Sequence, residues 1–409
     1  MARLLSIPAV PGSLRQMNRL AILQLLRSEG PISKADLAKR SAISRPTVSK
    51  VIDHLHSDGL VEIIGTAAPS ATGGKPATLY RFNSGAVRVG SVLLAVDGVS
   101  AAISDGEAHI LRKQYRHFGV DRSPQTITTT IITMLSELLN HLSLPSDDLL
   151  GIGIGVPGLT DSANGIVSFA PHLPGWQDVP LRQWIADAFD VPVWLDNDCH
   201  VQALAERYLG QGQDSDTLIC VETGIGLAAA FLFNGQLYRG AGNTAGEVGH
   251  MTIQEDGPLC DCGNRGCWES LSSITWLVNA TLQAMRQGRE NSIVLPKRDV
   301  EAQAIAIYEA AQAGDPLALE LVSAQARHFG VGIANLINSF NPQRIILHGE
   351  SIAGGEPFMR VVLQTVHERA LLRPRQMAEI VYSHLGDDVG LIGATSLVME
   401  TLFNMPAII

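Results

Sequence analysis

The stretch from Glu247 to Glu269 constrains this chain more than any other. Within it, His250 is followed by Cys260, Cys262 and Cys267. Three thiols and one imidazole fill a tetrahedral Zn²⁺ shell with borderline-soft ligands and leave no open position. Gly263 and Gly266 permit the tight turns that return Cys262 and Cys267 to one ion. A closed site of this kind is structural, so the expected zinc, one per chain, holds the loop rather than activates water. A disulfide is the competing reading, but the two thiols of Cys-x-Cys diverge and the bridge geometry is narrow. Glu247 and Glu269 flank the knot, and carboxylates on a rigid loop suit hydrogen bonds to sugar hydroxyls.

His250 followed by the Cys260-x-Cys262-Gly263-x-x-Gly266-Cys267-x-Glu269 run resembles the signature of the ROK family of repressors, uncharacterised frames and sugar kinases. The resemblance spans roughly residues 85–409. It implies the two-lobed, actin-like ATPase fold of the sugar kinases, with the ligand cleft between the lobes and the last helix packed on the first. It also implies that Asn197, Asp198, Glu247, His250 and Glu269 bind sugar, His250 turning one ring nitrogen to zinc and the other to the ligand.

Charge adds a second partner. Residues 1–90 carry 12 Lys and Arg against 5 Asp and Glu, a balance of +7 in a chain whose net charge is −10. A basic head on an acidic body points to a DNA-binding module on a sensor. At 409 residues the chain is long for one core, so two or three domains are expected. No apolar run approaches the length of a membrane span, and the start lacks the apolar core of a signal peptide. Five cysteines, three of them in the metal-like cluster, fit a reducing cytoplasm.

The head, residues 1–85, reads as a winged helix-turn-helix. Leu14–Ser28 carries a helical apolar stripe ended by Gly30-Pro31. Ser33, with Asp36, starts a second helix, and Ser44 caps a third with Pro46 in its first turn. On that third helix Arg45, Thr47, Ser49 and Lys50 lie on or near the exposed N-terminal part, and the capping Ser44 joins Arg45, Thr47 and Lys50 as a candidate DNA contact. Arg45 is placed to read guanine, Thr47 to touch a thymine methyl or a phosphate, and Lys34 and Lys50 to meet phosphates. Strands at Leu60–Ile64 and Thr78–Phe82 bracket a wing whose Gly73-Gly74-Lys75-Pro76 points Lys75 at the minor groove.

Beyond the head, strands at Val87–Val96, Ala101–Asp105, Leu150–Val156, Val193–Leu195 and Arg344–His348 alternate with helical periods at Val201–Leu209, Ser272–Arg286, Val300–Ala313, Pro316–Ser339 and Gly393–Leu402. Alternation of this kind indicates α/β layers. The expected lobes are 86–198 with 390–409, and 199–389.

Kinase or sensor is decided by loops. Asp198 matches the family's catalytic base, which takes a proton from the attacking hydroxyl. The phosphate loops depart from the kinases. Ser91–Ala95 lacks the family's Asp-x-Gly-Gly-Thr, and Glu222-Thr223-Gly224 stands where Gly-Thr-Gly is usual. His348-Gly349-Glu350 replaces a Gly-Gly that accommodates adenosine. A carboxylate where phosphate would lie repels it. The expected function is therefore a sugar-responsive repressor of carbohydrate genes, not an enzyme, with Asp198 vestigial. Its partners are operator DNA, a sugar effector and a second copy, as homodimer or homotetramer. A regulatory sugar-transport protein is a further candidate, and an ATP-dependent hexose or N-acyl-hexosamine kinase with an added head is the alternative.

Overall fold

The computed structural model describes residues 14–67, 76–171 and 173–403. The chain forms two compact units, Met1–Val201 with Gly390–Ile409, and Gln202–Val389. The tip of the expected wing, with Lys75, lies outside the described residues.

The head opens the first unit: α1 (Leu14–Glu29), β1 (Ile32–Ser33), α2 (Lys34–Ser41), α3 (Arg45–Ser57), β2 (Val61–Thr66) and β3 (Thr78–Phe82). Local chemistry sets the helix starts. The Ser33 hydroxyl accepts from Asp36 N and donates to its carboxylate at 2.6 Å, and the Ser44 hydroxyl accepts from Thr47 N. Ala42 ends α2 with φ of 55°, a left-handed turn made without glycine. The three strands pair in the order β1-β3-β2. Leu20, Ile22, Leu23 and Leu26 from α1 meet Leu37, Val48, Ile52 and Leu55 in one core.

Next come β4 (Arg88–Leu94), β5 (Gly98–Ser104), β6 (Ile110–His117), α4 (Pro124–His141), β7 (Leu149–Val156), a small antiparallel sheet of β8 (Leu159–Asp161), β9 (Ile166–Phe169) and β10 (Gln177–Val179), then α5 (Leu181–Phe189), β11 (Val193–Asn197) and α6 (Asp198–Leu209). The main sheet runs β11-β7-β4-β5-β6, with β4, β7 and β11 parallel and β5 and β6 antiparallel to their neighbours.

The second unit holds β12 (Leu218–Thr223), β13 (Leu227–Phe233), β14 (Gln236–Tyr238), α7 (Trp268–Ser272), α8 (Ile274–Arg286), α9 (Val300–Gln312), α10 (Pro316–Phe340), β15 (Arg344–Gly349), α11 (Gly355–Arg369), α12 (Leu372–Met377) and β16 (Glu379–Tyr382). The last helix, α13 (Val389–Phe403), returns the chain to the first unit. There it packs so closely on β7 that a Cβ at Gly153 would strike the Ala394 carbonyl.

The second sheet runs β14-β13-β12-β15-β16 with the same mixture of parallel and antiparallel pairs as the first. The two units are thus built on one plan. In each, parallel strands end at a shared edge, the place where open α/β sheets bind ligands.

Candidate functional site

In the first unit the parallel strands lead to Asp196, Asn197 and Asp198, where β11 becomes α6. Gly155 on β7 lets this turn come close, since a Cβ there would crowd Val201. Asn197 is held at both ends. Its side-chain oxygen accepts from Cys199 N at 2.9 Å and His200 N at 3.3 Å, capping α6, and its amide donates to Gly158 O at 3.0 Å. Asp198 Oδ1 accepts from Cys199 N at 2.9 Å. Beneath them lies a pair absent from the sequence reading. Asp196 and His200, 1% and 2% exposed, meet at 2.7 Å, and Asp196 also accepts from Asn197 N. A carboxylate four residues before an imidazole at a helix start was the available signal.

In the second unit the knot is assembled. One ligand atom each from His250, Cys260, Cys262 and Cys267 lies within 4.8 Å of all the others. Cys262 Sγ is 3.7 Å from Cys267 Sγ, and Cys260 Sγ is 3.7 Å from His250 Nδ1. Metal–sulfur and metal–nitrogen bonds of about 2.3 and 2.0 Å give tetrahedral edges of roughly 3.5–3.8 Å, so the set fits a small tetrahedral ion. Gly263 (φ 90°) and Gly266 (φ 65°) make the turns, and a Cβ at Gly266 would strike the Gln254 carbonyl. Bridges at Thr252↔Cys267 and Leu259↔Arg265 close the loop. Burial, then the neighbouring thiols, push Cys267 up to about 12. Burial raises Cys260, whereas the Asn264 N–H lowers Cys262. A bound cation would displace these reluctant protons. These four residues can therefore hold a metal.

His250 turns its other nitrogen, Nε2, toward Glu247, 3.9 Å from Oε2. Glu269, at the start of α7, accepts from Leu227 N at 2.8 Å through Oε2. The knot thereby fixes the chain that follows the 222–226 loop. Glu247, His250 and Glu269 come together within this unit, and Asn197 and Asp198 sit side by side in the other.

The loops that differ from a kinase are filled with acid. Parallel pairing of β12 and β15 sets Thr223 opposite Gly349, which brings Glu222 and Glu350 to one strand edge. Glu222 accepts from Gln202 Nε2 at 3.1 Å, and burial raises its pKa. Glu350 is pushed up to about 7, by burial first and by the neighbouring Glu222. Its Oε2 stands 3.0 Å from where a Cβ on Gly224 would lie. The Thr223 hydroxyl is engaged by His348 O and Ser351. In the first unit, Ser91–Leu94 of the stretch compared with the kinases' first phosphate loop lie within β4, and the chain then turns tightly, Ala95 N bonding to Gly98 O at 2.9 Å.

On the head, Arg45 and Lys50 are exposed on α3, and Ser44 and Thr47 bond to each other at 2.8 Å. Lys34, the other residue expected to meet a phosphate, has partners within the head. Its ammonium meets Asp53 at 2.6 Å and Ser49 at 3.1 Å, and lies over the Tyr80 ring at 5.4 Å.

A winged helix-turn-helix on a duplicated α/β body with a Cys₃His knot defines a class of ligand-sensing regulator built on a sugar-kinase-like, actin-type fold. The chain belongs to the ROK family, whose model matches residues 89–401, and a winged helix-turn-helix DNA-binding model matches residues 18–62. It is 30% identical to the xylose repressor of Bacillus subtilis, over 96% of this chain and 97% of that one. Its fold superposes on a ROK family transcriptional regulator, a homolog of the Escherichia coli MLC protein, with TM-score 0.84 and 25% identity over 95% and 97% of the two chains. A ROK family glucokinase from Streptomyces griseus, solved with glucose and AMPPNP, superposes with TM-score 0.65 and 29% identity over 76% of this chain and 98% of that one. The chain is a DNA-binding transcriptional regulator of the family's repressor type.

Proposed function

We propose that this regulator is a sugar-responsive repressor that binds a sugar or sugar derivative through Asn197, Asp198, Glu247, His250 and Glu269 and does not phosphorylate it. The observation that carries the reading is the pairing of an intact knot, with Glu247, His250 and Glu269 beside it, and an acid-filled strand edge at Glu222 and Glu350 in one unit. One structural zinc per chain sits on His250, Cys260, Cys262 and Cys267 and fixes the loop. In this reading the sugar-binding groups are held in place by their own partners. The Asp196–His200 pair and the Gly158 carbonyl preset Asn197 and Asp198, and the Leu227 N–H presets Glu269.

The head binds operator DNA through Arg45, Thr47, Lys50 and the wing with Lys75. A dimer presents two heads to a pseudo-palindrome, and sugar binding alters their spacing and so the affinity. Five free cysteines and the absence of a membrane-length apolar helix among the described residues accord with work in the cytoplasm.

The experiment is a thermal-shift screen of sugars, followed by operator selection from a randomised pool with and without each hit. Xylose and glucose head the panel because the relatives' names carry them. A hit that raises the melting point and changes operator affinity supports the reading. No preference for any duplex over random DNA removes the regulator, and no sugar hit removes the sensor.

Asp198 favours a second reading, a sugar kinase with an added head. Sugar-dependent ADP release that vanishes in Asp198→Asn would establish it. Control by a sugar-transport protein is tested by pull-down from membranes.

A further inference from the structure

The cations of the head fall into two sets. Arg19 meets Asp58 at 3.0 Å, Lys34 meets Asp53 at 2.6 Å, Arg81 meets Glu62 at 2.6 Å, and Arg40 meets Glu29. By contrast Arg15, Lys39, Arg45 and Lys50 are exposed and have no carboxylate partner among the described residues. Two of these four, Arg15 from the first turn of α1 and Lys50 from α3, line a single groove of about 360 Å³. Thr47, Val51, His54 and the already neutralised Arg19 complete it. The groove thus borders α3, the helix expected to enter the major groove, and brings together cations from two elements.

A cation held by a carboxylate gains little from a second anion, because its charge is already balanced. A free guanidinium and a free ammonium beside a hydroxyl fit the tetrahedral oxygens of a phosphodiester. We propose that the α1–α3 groove seats a backbone phosphate of duplex DNA, with Arg15 as a contact beside Lys50, and that Lys34 is a brace inside the head rather than a DNA contact. Lys34 ties α2 to α3 through Asp53 and Ser49 and packs over Tyr80 of β3, so its charge serves the head's own geometry. The inference rests on the DNA-binding reading and assigns its contacts.

The test is fluorescence anisotropy of the full chain on a mixed-sequence duplex, in salt from about 30 to 300 mM, where each released phosphate counterion contributes about 0.9 to the log–log slope. Arg15→Ala lowers the slope by about 0.9, so its affinity deficit shrinks roughly eightfold over that tenfold range of salt. Arg15→Ala with Lys50→Ala lowers it by about 1.8, Arg15→Lys restores most of it, and Lys34→Met leaves it unchanged. The loss is the same on any duplex, since a phosphate contact carries no sequence information. Inorganic phosphate at the same ionic strength does not compete beyond its salt effect; strong competition would mean a free-anion site and overturn the assignment. An unchanged slope in the double variant, or a Lys34→Met loss equal to that of Arg15→Ala, also overturns it. A wild-type chain that binds no duplex at all overturns the DNA-binding reading instead. Circular dichroism confirms that each variant is folded.

Discussion

Two places in the second unit lie at the same sheet and have opposite character. Around His250, Cys260, Cys262 and Cys267, four donors converge at distances suited to one ion, and the neighbouring Glu247 and Glu269 are held on that frame. At the ends of β12 and β15, Glu222 and Glu350 converge, and burial holds both toward the protonated form. One cluster is built to receive positive charge and organise a loop. The other packs two acids, held toward the neutral form, at the ends of paired strands. In the proposed reading, a fold similar to that of a glucokinase keeps the frame for the sugar and loses the place for the nucleotide.

The largest expected effect breaks the first cluster. Cys262→Ser removes a ligand from a closed shell, and metal analysis should fall from one zinc per chain to a small fraction. Melting should drop by roughly 5–10 °C, since a few kcal/mol shifts a unit of this size by about 2–4 °C each. Full metal content or unchanged melting in this variant would mean that the knot is ornamental.

The acid pair comes next, through pH. Glu350's folded pKa, about 7, lies above its ordinary value, so its contribution to stability is full at low pH and is lost as pH rises toward and through 7. Glu350→Gln should match the wild type below about pH 4 and melt several degrees higher at pH 8. The difference between the two melting curves isolates this group from metal loss at low pH. A constant difference across pH would refute the pairing.

Asn197→Ala sharpens the contrast from the first unit. Loss of the α6 cap costs about 1 kcal/mol, a fall of a few degrees. In the sugar reading it also abolishes the stabilisation by the sugar hit. A cap role alone would leave that stabilisation intact.

The smallest effect belongs to the α2–α3 turn. Ala42→Gly relieves a left-handed residue and should stabilise the head by up to about 1 kcal/mol, read in urea unfolding followed by the head's own signal. Destabilisation would show that the alanine methyl is packed rather than strained.

Much of this was legible in the sequence where side-chain chemistry is local. Ser33 and Ser44 marked helix starts because a hydroxyl caps within three residues, and the Cys-x-Cys spacing marked the knot because the ligands sit on one loop. Long-range pairing was less legible. β6, Ile110–His117, carries Arg112, Lys113 and Arg116 on a sheet edge and shows no apolar alternation. The threonine- and isoleucine-rich α4 resembles a strand by composition, yet buries Ile127, Ile131, Leu135 and Leu138 at helical spacing. The partners of Lys34 were illegible for the same reason: Asp53 and Tyr80 are distant from it in sequence.

The central claim is that the body senses sugar without nucleotide chemistry. Isothermal titration of the zinc-loaded chain with its sugar hit, repeated in saturating AMPPNP with Mg²⁺, addresses it directly. The account predicts no heat from AMPPNP alone and an unchanged sugar affinity in its presence. Saturable AMPPNP binding that tightens or requires the sugar would contradict it.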